Sequence, residues 1–190
     1  MMALLMEGLV LWVAAHLFKR VAPNQRQALT GRMGEGAKGL IAGMILVAVV
    51  LMVLGYRSAG LVPVYTPLPG MGHLNNLLML VAIFLYGVGG TKGTLYTRMR
   101  HPMLWGTVVW AVAHLLVNGD VASVLLFGVI AVWALLEMVL INRSAVWVAP
   151  TGGRGIKGDA MNVAGALVIY ALIAAVHIWT GHNPFMGTYG

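Results

Sequence analysis

Gly8-Leu-Val-Leu-Trp12-Val-Ala-Ala-His16-Leu17 lies inside an apolar run over residues 2–18 whose only charge is Glu7, and the length of that run decides the class of the protein. It is close to the ~20 residues that a helix needs to cross a ~30 Å hydrocarbon core. Five further runs follow at 38–56, 73–90, 101–118, 120–141 and 160–180. Each is expected to be a helix, because only a helix or a closed barrel satisfies its own backbone polar groups where there is no water. Composition agrees: 60% of the 190 residues are hydrophobic, 9% are charged, and mean hydropathy is +0.88. A soluble domain would carry about 25% charged residues. The expectation is an all-α integral membrane protein, a six-transmembrane-helix bundle forming a single domain over 1–190. The first run has no basic residue before it and contains His16, so it reads as a retained helix rather than a cleaved signal.

The opening phrase returns as Gly106-Thr-Val-Val-Trp110-Ala-Val-Ala-His114-Leu115, with six of ten positions identical. Glycine, tryptophan and histidine stand four residues apart in both copies, which puts a small residue, a large ring and an imidazole on one helix face. An ionisable residue within a membrane span is a functional candidate by default. Spans one and four run in opposite directions, so a true duplication would make a partial inverted repeat about an axis in the membrane plane. Coincidence is the other reading, because four of the six matches are Gly, Val, Ala and Leu. At ~1.5 Å per residue, His16 belongs ~6–9 Å to one side of the bilayer centre and His114 about as far to the other.

The cations set the orientation. Lys19, Arg20, Arg26, Arg32 and Lys38 lie between spans one and two, Lys92, Arg98 and Arg100 between three and four, and Arg143, Arg154 and Lys157 between five and six. Arg57 alone falls on the other face, so eleven of the twelve Lys and Arg mark the cytoplasmic side and both termini are expected to be periplasmic. The net charge of +7 is then a topology signal and a contact for anionic lipid head groups of the bilayer. It makes no case for nucleic acid, because the basic residues are scattered over three loops without interleaved aromatics.

Pro23 is expected to break the chain after span one, leaving residues 19–37 as a surface loop or short interfacial helix. Pro63, Pro67 and Pro69 predict an extended outer loop over 57–72. Asn118-Gly119-Asp120 predicts a tight turn that makes spans four and five an antiparallel hairpin. The glycine-rich segment 152–158 has the makings of a phosphate cradle but lacks the strand and spacing of one, and a plain turn is the simpler reading.

The chain has no cysteine, which excludes disulfides, thiolate haem ligation, cysteine-bound iron–sulfur clusters and covalent c-type haem. Metal chemistry is left to histidine, methionine and carboxylate. Two neutral imidazoles from different helices, His16 and His114, suit a b-type haem, with Trp12, Trp110, Gly8 and Gly106 supplying ring packing and room for a flat macrocycle. Their different depths require a tilted haem or displaced helices; otherwise a single histidine binds iron. The plainer alternative is that each histidine donates a hydrogen bond to a neighbouring helix. Arg100-His101-Pro102 opens span four, where a helix N-terminus with adjacent cations suits an anion such as a haem propionate, or serves simply as an interfacial anchor. Glu137, late in span five, is expected to snorkel to water or to pair with Arg143, Arg100 or Arg98.

The order of His16, His101-Pro102, the run Trp110-Ala-Val-Ala-His114-Leu-Leu-Val-Asn118-Gly119-Asp120, then Leu126-Phe127-Gly128 and Trp133 resembles the NnrU family of bacterial inner-membrane proteins over nearly the whole chain. The resemblance implies an inner-membrane location and a link to denitrification, through reduction of nitrite and nitric oxide, with respiratory reductase components as partners and an oligomer allowed. That family in turn resembles 15-cis-zeta-carotene isomerase, a membrane enzyme with histidine-ligated haem b. By motif, His16 and His114 match its ligand positions and His101 a further shared histidine. Arg100-His101-Pro102 followed by Gly106 is also similar to a signature of membrane methyltransferases, but Leu104 replaces its tyrosine and the paired glutamates are missing. Three readings stand: a haem-b protein in redox, sensing or assembly; a haem-dependent isomerase of a carotenoid or polyene lipid; and a haem-free transporter or scaffold.

Overall fold

The structure, a computed structural model, describes residues 2–186 and 188. Among the described residues the chain forms α1 (Met2–Val21), α2 (Pro23–Met33), α3 (Gly36–Arg57), α4 (Met71–Thr91), α5 (Pro102–Val117), α6 (Val121–Ser144) and α7 (Gly155–Trp179), with one 3-10 turn at Thr94–Thr97 and no strand. Five of these, α1, α3, α4, α6 and α7, are long and apolar enough to cross a membrane. Their large side chains stay exposed along the helix flanks, as at Leu46, Val50, Leu167 and Leu172. Apolar surface on that scale is stable against lipid and not against water, so the chain is a multi-pass membrane protein.

All six expected apolar helices form, but the fourth is short. Pro102 fixes the start of α5 at its first position and Asn118 leaves the helix at φ −128°, ψ 108°, so α5 has 16 residues. At ~1.5 Å per residue that is ~24 Å, below the ~30 Å of the hydrocarbon core. The stretch 19–37 is helical for most of its length. α1 runs on through Lys19 and Arg20, where cations meet the negative end of the helix dipole. α2 begins on Pro23, buries no side chain, and stops at Gly34 with φ 55°.

The chain divides into two compact units, Met1–Val64 with Asp120–Val129, and Tyr65–Gly119 with Ile130–Gly190. In the first, α1 packs on α3 through glycine. A Cβ on Gly8 would lie 2.7 Å from Met52 N and 2.8 Å from Ala48 O, and one on Gly55 would lie 2.7 Å from Leu5 Cα. Close backbone approach of this kind is how helices gain van der Waals contact where lipid removes the hydrophobic drive to associate. The start of α6 belongs to the same unit: Asp120 accepts Ser123 N at 3.0 Å and Ser123 Oγ at 2.5 Å, capping the helix, and Ser123 Oγ meets Tyr56 OH at 2.9 Å. The loop after α3 is extended, as its prolines predict, with Val121 N donating to Val62 O at 2.9 Å.

In the second unit α4 carries both α5 and α7. Gly106 lets α5 approach Ala82 O, and Asn162, buried on α7, donates to Phe84 O at 2.8 Å. The segment 152–158 is a packing element. Arg154 N donates to Lys92 O at 2.6 Å, and a Cβ on Gly158 would meet Thr91 O at 2.6 Å, so the glycines seat the start of α7 on the end of α4. α7 therefore opens at Gly155, earlier than the apolar run alone indicates. Asp159 accepts Thr94 N at 2.9 Å and Thr94 Oγ1 at 2.5 Å, fixing the 3-10 turn. Asp159→Ala is expected to lower stability by about 2 kcal/mol, from two lost charge-assisted hydrogen bonds. The check is the midpoint of unfolding in mixed detergent.

Candidate functional site

Both copies of the Gly/Trp/His phrase lie on one helix each, His16 in α1 of the first unit and His114 in α5 of the second. In each, Nδ1 of the histidine donates to the carbonyl of the tryptophan four residues earlier: His16 to Trp12 O at 2.9 Å and His114 to Trp110 O at 2.8 Å. A carbonyl only accepts, so Nδ1 carries the proton of the neutral ring and the lone pair sits on Nε2. In both copies this donation stays within the helix that carries the histidine. The tryptophan ring lies beside the imidazole in both copies, with centroids 4.2 Å apart at 35° for Trp12–His16 and 5.0 Å at 51° for Trp110–His114.

The glycines of the two phrases do the same local job against different neighbours. Gly8 faces α3, which follows α1 in the chain, while Gly106 faces α4, which precedes α5. The likeness is one of helix faces. At the end of α5, the carbonyl of His114 accepts both Asn118 N and Asn118 Nδ2 at 2.9 Å, so the turn bearing the histidine is closed by its own cap.

His177 on α7 has the same local bond, Nδ1 to Ile173 O at 2.8 Å. What distinguishes His16 and His114 is therefore the tryptophan four residues back, which adds an aromatic wall to an imidazole of fixed tautomer. His101 is held through its other ring nitrogen. Its Nε2 faces Asn142 Oδ1 at 2.9 Å and must donate to it. Arg100 donates to Ile141 O at 3.3 Å and Ala145 O at 2.7 Å. Arg100 and His101 thus tie the start of α5 to the end of α6, as the antiparallel hairpin requires, and Arg100 provides the cation that a helix C-terminus favours. Nothing in the sequence near Asn142, about forty residues on, marked it as the partner of His101. Glu137 is buried, with 6% exposure, and does not snorkel.

Among the described residues no three His, Asp or Glu side chains gather into a cluster able to hold a metal ion. The donor chemistry fits haem b in a narrower way: imidazoles with a second-sphere bond on Nδ1 and aromatic rings alongside. Each histidine would offer one such ligand within its own unit, with the tryptophan four residues earlier beside it. His101 and Arg100 have structural partners at the end of α6.

The protein-family model described as NnrU protein matches residues 4–184, nearly the whole chain. No curated protein and no solved structure matches it.

Proposed function

The chain belongs to the NnrU family, and from that premise we propose a haem-b-binding protein of the bacterial inner membrane, associated with nitrite and nitric oxide reduction and acting in redox, sensing or assembly. The observation that carries the haem reading is the duplicated histidine geometry. In both copies the ring proton is committed to a carbonyl of the same helix, so the nitrogen with the lone pair is Nε2. Imidazole ligands to haem and zinc characteristically have such a partner on the other nitrogen, which fixes the ring and raises its basicity. Bound haem would supply one-electron chemistry and affinity for small nitrogen oxides. The chain's part is to hold the His16 and His114 rings through Nδ1, leave Nε2 as the ligand atom, and wall them with Trp12 and Trp110.

The proposed topology has six crossings, with both termini periplasmic. Met1 and Gly190 themselves lie outside the described residues. Eleven of the twelve cations fall in three loops of one face, which supports this orientation. The short helix α5 makes the fourth crossing by local thinning of the bilayer and by snorkelling of flanking residues. Because the chain lacks cysteine, single replacements report directly. Gly31→Cys, on α2, is expected to resist a membrane-impermeant maleimide in spheroplasts, and Thr66→Cys, in the loop before α4, to react. The reverse pattern overturns the orientation.

A further inference from the structure

The helix that carries His114 ends against one side chain from a distant loop. Within the second unit, the hydroxyl of Tyr65 reaches two carbonyls at the end of α5, those of Leu115 and of Asn118, the latter at 2.8 Å. A phenol has one proton to donate, so the two acceptors share it. Tyr65 N also donates to Gly119 O at 3.0 Å. A Cβ on Gly119 would overlap Tyr65 O and stand 2.9 Å from Tyr65 C, so glycine at 119 is what lets the loop backbone sit against this turn. With the carbonyl of His114 already taken by Asn118, the outer loop supplies partners that the last turn of α5 lacks.

We infer that Tyr65 is the positioning residue for His114: the loop between α3 and α4 latches the final turn of α5 and so sets the direction of the imidazole. This rests on the reading of His114 as a haem ligand, but the latch itself does not. Leu115 is the next residue after His114, and losing its carbonyl's partner frees the backbone that carries the ring. The loop thereby gains control over a group inside the membrane, so whatever moves Tyr65 on the outer face turns the His114 ring.

The test uses the full chain in nanodiscs, comparing Tyr65→Phe with Tyr86→Phe. Tyr86 makes a hydroxyl contact to Thr107 Oγ1 at 3.0 Å, nearer the start of the same helix, and serves as the control. Amide exchange at residues 115–118 is expected to quicken about fivefold or more in Tyr65→Phe, as for the loss of one net hydrogen bond, and to stay unchanged in Tyr86→Phe. The nitrogen resonances of the His114 ring are expected to move in Tyr65→Phe alone, and with haem bound the low-spin electron paramagnetic resonance signal moves with them. Unchanged exchange at 115–118 overturns the latch. Faster exchange with unmoved His114 resonances overturns the positioning role. A wild type without haem defeats the proposed function, while exchange and ring resonances still decide the role of Tyr65. Exchange in α3 serves as the check that each variant is folded.

Discussion

His114→Ala is expected to abolish the low-spin b-type spectrum of the purified protein, leaving either no haem or a high-spin residue of it. The argument turns on coordination. Two imidazoles would hold haem iron in the low-spin state, and with one removed the remaining histidine would hold the haem less tightly and would no longer keep it low-spin. Loss of an outer-shell partner alone typically costs 10–100-fold in metal affinity, so removing the ligand itself should exceed that range. His16→Ala is expected to behave alike, because its ring has the same tautomer and the same tryptophan four residues earlier. His101→Ala is expected to keep the low-spin bands. Its Nε2 is committed to Asn142 Oδ1, and its replacement loosens only the tie between α5 and α6. Optical spectra and haem content of the three variants, purified side by side, check this.

Gly55→Ala is expected to be the most damaging small substitution in the first unit. An added Cβ would stand 2.7 Å from Leu5 Cα and 2.9 Å from Leu4 C, both backbone atoms that no side-chain rotation can move away. Overpacking costs about 1–3 kcal/mol where side chains can adjust, and here the helices themselves must separate, so about 3 kcal/mol or more is expected. Alanine's better helix propensity returns only ~1 kcal/mol, too little to reverse the sign. Gly43 is the control. It lies on the same helix with nothing within 4 Å of a new Cβ, so Gly43→Ala is expected to be neutral or slightly stabilising. Unfolding midpoints in mixed detergent should separate the two; equal midpoints would mean that the α1–α3 contact is not a close one.

The contrast between Gly55 and Gly43 also shows where the sequence stops being legible. Both are glycines in one apolar helix, and nothing local distinguishes the one that meets another backbone from the one with open space beside it. Helix positions were legible because length, apolarity and proline act locally: Pro23 and Pro102 each stand at a helix start. Partner choice was not, since in lipid it depends on where small residues on two distant segments coincide. The same division holds for the site. The Gly/Trp/His stripe was visible from its four-residue spacing, and that spacing also places the Trp12 carbonyl beneath the His16 ring. The reach of Tyr65 to Leu115 and the tie of Arg100 to Ala145 join segments about 50 residues apart and left no pattern. The glycine run at 152–158 resembled an anion cradle only in composition; its backbone is seated on the end of α4.

The most direct measurement of the central claim is a reduced-minus-oxidised optical spectrum of the wild-type protein, purified in mild detergent from haem-replete cells, with the haem content of the same sample. The tryptophan-walled imidazoles of His16 and His114 predict stoichiometric haem b with a sharp Soret band and resolved α and β bands. A colourless protein that remains folded contradicts the account and leaves the two Gly/Trp/His stripes as polar packing motifs in a bundle that transports a solute or scaffolds its partners.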